Sequence, residues 1–404
     1  MEQLISLLGL FVFVGFAYVI SENKKAIQWR TVITGIVLQI VFGLVILKTG
    51  FGRAVFASAS NAFNAILGFT TEGSKFLFGS LSSPENLGFI FATMVLPTII
   101  FMSALMSLMY HLGIMQKVVE VMAKVMMKVM KTSGAESLAA AANIFVGQTE
   151  APLVIKPYVA QMTKSELMCL MTGGMATVAG GVLAAYVGFG VDAGHLLAAS
   201  VMSAPAALVC AKLMVPETEE SATAGVVKVD LPVMASNAID AAAQGASDGL
   251  KLAVNVAAML LAFIALIAMF NGMLGYLGGF VGMPTLSFEY ITGILFAPVA
   301  WLMGCPWADC FIVGSMLGKK LVLNEFVAYL DLTASTGKIS ERSSILTTYA
   351  LCGFSNFSSI AIQLGGIGTM APEKRPVLAK YGMKALIGGT LACFMTACIA
   401  GLFI

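Results

Sequence analysis

The feature that most constrains this chain is a succession of apolar runs, each near the length of a helix that crosses a bilayer. Residues 3–20, 31–48, 87–110, 192–209, 252–270 and 385–404 all qualify, since about 20 apolar residues span the hydrocarbon core. Only 11% of the 404 residues are charged and 59% are hydrophobic, against about 25% charged in soluble domains. In hydrocarbon every backbone N–H and C=O needs a partner within the protein, which leaves helices and closed barrels. A barrel would alternate apolar and polar residues along each strand, and these runs do not. The sequence therefore predicts an all-α polytopic membrane protein.

Several function classes fall away at once. The net charge of +2 comes without a basic block or interleaved aromatics, so no nucleic-acid partner is expected. Seven cysteines lie scattered in apolar surroundings, the closest pair being Cys305 and Cys310, and His111 and His195 are the only histidines. No metal cluster of the Cys/His kind can be assembled from that set, and the cysteines read as small buried hydrophobes. Neither His111 nor His195 has a nearby partner motif such as G-x-S-x-G or H-E-x-x-H, which argues against an enzyme. The first run lacks a basic leader and precedes a second span, so it reads as a retained helix. Lys24, Lys25 and Arg30 in the first loop place that loop in the cytoplasm and the N-terminus, with only Glu2, outside. The segments 111–131 and 373–384 are basic in the same sense, whereas Lys338 and Arg342 fit the scheme less well.

Two segments have their own logic. Lys117, Glu120, Lys124, Lys128 and Lys131 recur at helical spacing with Met and Val between them, which predicts an amphipathic helix along the headgroup boundary. Residues 216–246 are the longest polar stretch and read as a solvated connection between two halves.

Those halves echo one another. NIFVG begins at Asn143 and NEFVA at Asn324; Gly174 follows the first asparagine by 31 positions and Gly353 the second by 29. Each glycine belongs to a polar break in an apolar helix, GGMATVAGG (173–181) and CGFSNFSSI (352–360). Between residue 132 and the span at 165–187, the chain is too short and polar for a clean crossing, contains Pro152 and Pro157, and predicts a re-entrant hairpin with its tip at VGQTEAP. Residues 307–330 are its counterpart. Non-helical backbone at depth is tolerated where protein buries it or a cavity receives it, and paired broken helices meeting at the midplane are how many secondary transporters build a site.

The polar side chains in these segments are the candidate site. Glu150 and Glu325 sit in apolar neighbourhoods, where an acidic side chain costs about 3 kcal/mol at a helix centre. Either they pair with a lysine such as Lys156, Lys319 or Lys320, or they accept hydrogen bonds from a solute rich in N–H and O–H groups. Gln148 and Thr149 flank the first; Asn356, Ser358 and Ser359 form a second cluster. Asn143 and Thr177 offer neutral oxygens, which suit either interhelical hydrogen bonds or a dehydrated Na⁺. Two acids in the site argue against an anionic solute.

At these motifs the sequence closely resembles the concentrative nucleoside transporters, in particular their bacterial sodium-coupled branch. NIFVGQTEAPLVIKPY, MTKSELMCLMTGGMATVAGGVLAAY, NEFVAY and CGFSNFSSIAIQLGG stand in the family's order, and the likeness covers essentially the whole chain. The resemblance implies eight transmembrane helices, two opposed re-entrant hairpins and interfacial helices, arranged as an inverted repeat with scaffold and transport domains. It implies a homotrimer in the bacterial inner membrane that imports nucleosides such as uridine by an elevator motion. On this basis 1–110 are N-terminal helices and scaffold elements, 111–132 the interfacial helix, 133–215 the first repeat with hairpin 1, 216–246 the linker, and 247–404 the second repeat with hairpin 2. The resemblance also implies that Gln148, Thr149, Glu150 and Val182 contact the base, that Glu325, Asn356 and Ser359 hold the ribose, and that Phe354 packs beside the ligand. Sodium would sit at Asn143, Val146, Thr177 and Val178. Thr177 departs from the serine usual there, which keeps the hydroxyl and leaves the ion's affinity open. A proton-coupled nucleoside symporter, with Glu150 or Glu325 as carrier, is the alternative.

Overall fold

The computed structural model describes residues 1–82, 88–224, 235–280 and 282–404. Among them the regular structure is helical, the sole β pairing being an isolated bridge between Thr336 and Ile339. The N-terminal part consists of α1 (Glu2–Val19), α2 (Trp29–Lys48) and α3 (Gly50–Phe78), followed by α4 (Leu96–His111) after a short turn at Phe91–Met94. The amphipathic α5 spans Ile114–Met130. Its buried residues Met115, Val119, Ala123, Met126 and Met130 recur every three or four positions, while Lys117, Lys124, Lys128 and Lys131 are exposed, as the spacing predicts.

Two units of like design follow. The first has α6 (Gly134–Ala142), short helical turns at Ala151–Val154 and Lys156–Val159, the broken pair α7 (Lys164–Ala176) and α8 (Gly180–Gly188), then α9 (Ala193–Met214). After α10 (Ala238–Gly279) and α11 (Phe288–Leu302), the second has α12 (Trp307–Val322), α13 (Glu325–Ala334), the broken pair α14 (Glu341–Leu351) and α15 (Phe357–Met370), then α16 (Arg375–Phe403). Pro152 and Pro157 stand in the first turn of the short helical pieces, where a proline is tolerated but the preceding helix cannot continue. Ser133 and Thr163 open α6 and α7 with capping boxes completed by Glu136 and Glu166.

Among the described residues, seven helices are long and apolar enough to cross a membrane, and α11 with α12, bent by 118°, is a further candidate. The polar connection is shorter than expected: residues 238–246 already belong to α10, and 225–234 lie outside the described residues. Burial separates the spans. The α7–α8 and α9 windows are 89% buried, whereas that of α10 is 17% buried, so the first two form the centre and α10 faces outward. Helix α10 packs chiefly on α4 through small residues. A Cβ on Gly249 would stand 2.8 Å from Ile100 Cα, and one on Gly245 2.6 Å from the Ser103 carbonyl oxygen.

Of the two charges that fit the orientation rule poorly, Arg342 has structural work, whereas Lys338 is exposed. Arg342 donates to the carbonyls of Gly304 (2.9 Å), Gly401 (2.8 Å) and Ile404 (2.8 Å), and lies 3.4 Å from Glu2, so it caps the end of α16 beside the start of α1. At the opposite end Glu22 receives Lys384 at 2.6 Å and Tyr381 at 3.0 Å. All seven cysteines are free and buried.

Candidate functional site

The two breaks meet. Phe354 N donates to the Thr177 carbonyl at 3.3 Å, and a Cβ on Gly353 would stand 2.8 Å from the Met175 carbonyl oxygen. Only glycine lets the two backbones approach this closely. The first hairpin tip is tied to the same place, because Gly180 N donates to the Phe145 carbonyl at 2.9 Å and Ser200 Oγ to that of Ile144 at 2.8 Å.

A cavity of about 160 Å³ lies between the two hairpin tips and the two breaks. Gln148, Thr149, Glu150, Val182, Glu325, Phe354, Asn356 and Ser359 all line it. Each glutamate opens the returning limb of its hairpin: Glu150 precedes Ala151–Val154 and Glu325 is the first residue of α13. The partial positive charge of a helix N-terminus favours a carboxylate there. Glu325, 2% exposed, accepts from Tyr186 Oη at 2.9 Å and Asn356 Nδ2 at 3.1 Å. The Asn356 carbonyl oxygen in turn caps α15 by accepting from Ser359 N at 3.0 Å and from Ser358 Oγ at 2.7 Å. Gln148 donates to Ser359 Oγ at 3.0 Å and accepts from Gln363 Nε2 at 3.0 Å, so one polar chain joins the two halves.

None of the lysines suggested as partners forms an ion pair with either glutamate among the described residues. Lys319 meets Asp331 at 2.5 Å and Glu289 at 2.9 Å, Lys320 donates to the Ala350 carbonyl at 2.8 Å, and Lys156 is exposed. Among the described residues no ion pair involves Glu150 or Glu325.

Of the residues expected to hold sodium, Asn143 is the C-cap of α6 and Thr177 that of α7, and a Cβ on Gly173, one turn before Thr177, would stand 3.1 Å from Asn143 Nδ2; Val146 lines the larger neighbouring cavity. The C-terminal end of a helix favours a cation. Asn143 is 1% exposed, yet neither atom of its amide has a hydrogen-bond partner in the protein. An unpaired buried amide is costly, and a Na⁺ coordinated by its oxygen would offset the oxygen's share of that cost. Thr177 Oγ1 donates to the Gly173 carbonyl at 2.9 Å, which aims its lone pairs away from that helix. The described residues contain no His/Cys/Asp/Glu cluster for a divalent metal.

Two site residues escape a reading by motif. Tyr186 lies one turn beyond Val182 and orients Glu325; Gln363 lies one turn beyond Ser359 and orients Gln148. The i, i+4 spacing was the available signal.

A second cavity of about 340 Å³ adjoins the first, sharing Gly147, Glu150, Ala179 and Leu252. It runs between the first hairpin tip and the α4–α10 pair toward Gln116 on the lysine-rich α5.

Family models described as Na⁺ dependent nucleoside transporter N-terminus, nucleoside recognition, and Na⁺ dependent nucleoside transporter C-terminus match residues 8–81, 92–193 and 195–401. The chain belongs to the concentrative nucleoside transporter family. This is a family of transporters rather than enzymes, and Na⁺ is its coupling ion. The transporter is 48% identical over 409 residues to an uncharacterized transporter of Bacillus subtilis, YutK, with both chains covered in full. It is 44% identical over 417 residues to sodium/nucleoside cotransporter 1 of Mus musculus, of which it spans 64%. Its fold matches CNTnw in an inward-facing substrate-bound state with a TM-score of 0.96 at 45% identity, covering 100% of this transporter and 98% of that chain. The match to an outward-facing CNTnw is 0.95 at 44% identity, with the same coverage.

Proposed function

We propose that this protein is a sodium–nucleoside symporter of a bacterial cytoplasmic membrane, working as a homotrimer by an elevator motion. One observation carries the proposal: a cavity between two hairpin tips gathers acids, amides and hydroxyls, with an unpaired buried amide at Asn143 on the first hairpin. Gln148, Thr149 and Glu150, with Val182 as an apolar wall, present donors and acceptors to a base. Glu325, Asn356 and Ser359 present a carboxylate, an amide and a hydroxyl to ribose, and Phe354 packs against the sugar–base unit.

Coupling follows from chain connectivity. Val146 is two residues from Gln148, so an ion held by Asn143, Val146, Thr177 and Val178 orders the tip that carries Gln148–Glu150. Linkage then requires nucleoside to raise sodium affinity by the same factor. The α4–α10 pair serves as the scaffold against which hairpins and broken helices slide; its outward exposure and the dominance of α4–α10 packing support that role, with the broken helix α8 resting on α4. The second cavity leads to the lysine-rich face assigned to the cytoplasm, which makes this an inward-open arrangement.

Uptake of labelled uridine into proteoliposomes tests the proposal. Accumulation is expected under an inward sodium gradient and not when choline replaces sodium. In Asn143→Ala the half-saturating sodium concentration rises and sodium dependence flattens. Undiminished accumulation in choline, or accumulation driven by a pH gradient alone, overturns the sodium assignment.

A further inference from the structure

The second cavity holds polar groups that the inner site does not use. Tyr110, His111 and Gln116 line it, and Tyr110 Oη, His111 Nδ1 and Gln116 Oε1 are buried without a hydrogen-bond partner in the protein. Gln244 and Asp248 of α10 line the same space; Gln244 donates to Asp240 at 3.1 Å, and Asp248 meets the exposed Lys251 at 3.0 Å. Met106 and Phe145 supply apolar wall. Its volume of about 340 Å³ falls in the range of small-molecule pockets, roughly 300–1,000 Å³.

We infer that this vestibule is a second nucleoside subsite on the release route, receiving the solute from the inner cavity past Glu150. Enclosed donors and acceptors without partners are costly, and a turn of the Tyr110, His111 or Gln116 side chain would bring them to a solute carrying N–H, C=O and several hydroxyls, while Gln244 and Asp248 are already exposed along the cavity. The rings of Tyr110 and His111 suit a base, and the Gln116 and Gln244 amides with the Asp248 carboxylate suit ribose. The division of residues matters. The inner site is built by hairpins and broken helices, whereas Tyr110, His111, Gln116, Gln244 and Asp248 belong to α4, α5 and α10. Glu150 lines both cavities and belongs to the hairpin. Helix α5, which carries Gln116, packs mainly on the hairpin limb α6, so the scaffold share of the vestibule is Tyr110, His111, Gln244 and Asp248, and transfer onto them proceeds by exchange of hydrogen bonds at Glu150 rather than by release of a fully bound solute into water.

The inference rests on the nucleoside reading above, and the test separates the two. Equilibrium binding of labelled uridine to the full-length protein is measured in sodium and in choline. The parent is expected to bind two uridines per chain, one tightly and with sodium, the other weakly and without it. The double variant Gln116→Ala/Gln244→Ala loses the weak component, Tyr110→Phe weakens it roughly tenfold, and both keep the sodium-dependent one. In Glu325→Gln the tight component weakens and the weak one persists. One uridine per chain in the parent, or a weak component indifferent to both vestibule variants, overturns the subsite. Absence of any sodium-dependent uridine binding overturns the proposed function instead.

Discussion

Tyr186→Phe isolates one atom of the site. The hydroxyl donates to Glu325 at 2.9 Å, and both residues are almost fully buried, Tyr186 at 0% and Glu325 at 2% exposure. Phenylalanine keeps the ring and its packing, including the centroid separations of 4.4 Å to Tyr329 and 5.0 Å to Phe326, so the fold should survive. A hydrogen bond to a charged group is worth about 1.5–3 kcal/mol, equivalent to roughly 10- to 150-fold in affinity. Asn356 still holds the other carboxylate oxygen at 3.1 Å, which favours the lower end. The freed oxygen must recruit water in the empty site and surrender it, or turn, when ribose arrives. The dissociation constant for uridine should therefore rise about tenfold, with the sodium requirement intact. Isothermal titration in saturating sodium measures it, and the melting temperature of the unliganded protein checks the fold. Unchanged affinity in a well-folded Tyr186→Phe would show that Glu325 is not oriented for the solute, and the assignment of its role to ribose would fail.

Three further outcomes probe the frame. Gly249→Leu forces a side chain between α10 and α4, where even a Cβ stands 2.8 Å from Ile100 Cα; overpacking of this kind costs about 1–3 kcal/mol, so thermal stability and recovery of intact protein should fall. Lys212→Ala leaves Glu136, 2% exposed and 2.7 Å from the lost ammonium, unpaired; the expected loss is about 3–5 kcal/mol, read as a lowered melting temperature, with Lys212→Ala/Glu136→Ala less damaged than Lys212→Ala alone. Burial opposes ionisation of Glu22, but hydrogen bonds from Lys384 and Tyr381 outweigh it and hold this loop carboxyl below its ordinary value. Its contribution is present above the ordinary carboxylate range and lost as pH falls through the lowered value; Glu22→Gln should remove that acid-side part of the stability profile while leaving neutral-pH uptake in place.

Much of this architecture is legible along the chain because hydrocarbon imposes a strict rule on backbone polarity. Apolar runs located the long spans, and Pro152, Pro157 and the polar tip marked the hairpin, since neither feature suits an uninterrupted helix in lipid. Helix α3 went unmarked because its 29 residues never form a strongly apolar run. The start of α10 reads as linker because residues 238–246 are mostly alanine, with Asp240 and Gln244 among them and Ile239 the one large apolar side chain, although Asn237 caps that helix by accepting from Asp240 N at 2.9 Å. At the site, motif residues were visible as polar breaks in apolar surroundings, whereas Tyr186 and Gln363 look like ordinary helix residues until partners from the other half are placed opposite them.

The sequence alone settled that this chain is a helical membrane protein with two similar halves, because the cost of unpaired backbone in lipid is paid locally and leaves its mark residue by residue. It also settled which side chains are too polar to be there without a purpose. Only the tertiary structure decided that the two breaks meet, that Glu325 is held by Tyr186 and Asn356 rather than by a lysine, and that the Asn143 amide is left unpaired. Those outcomes depend on contacts between residues 31 to more than 200 positions apart, such as Glu325 with Asn356 and Gln148 with Ser359, and no local preference of the chain specifies them.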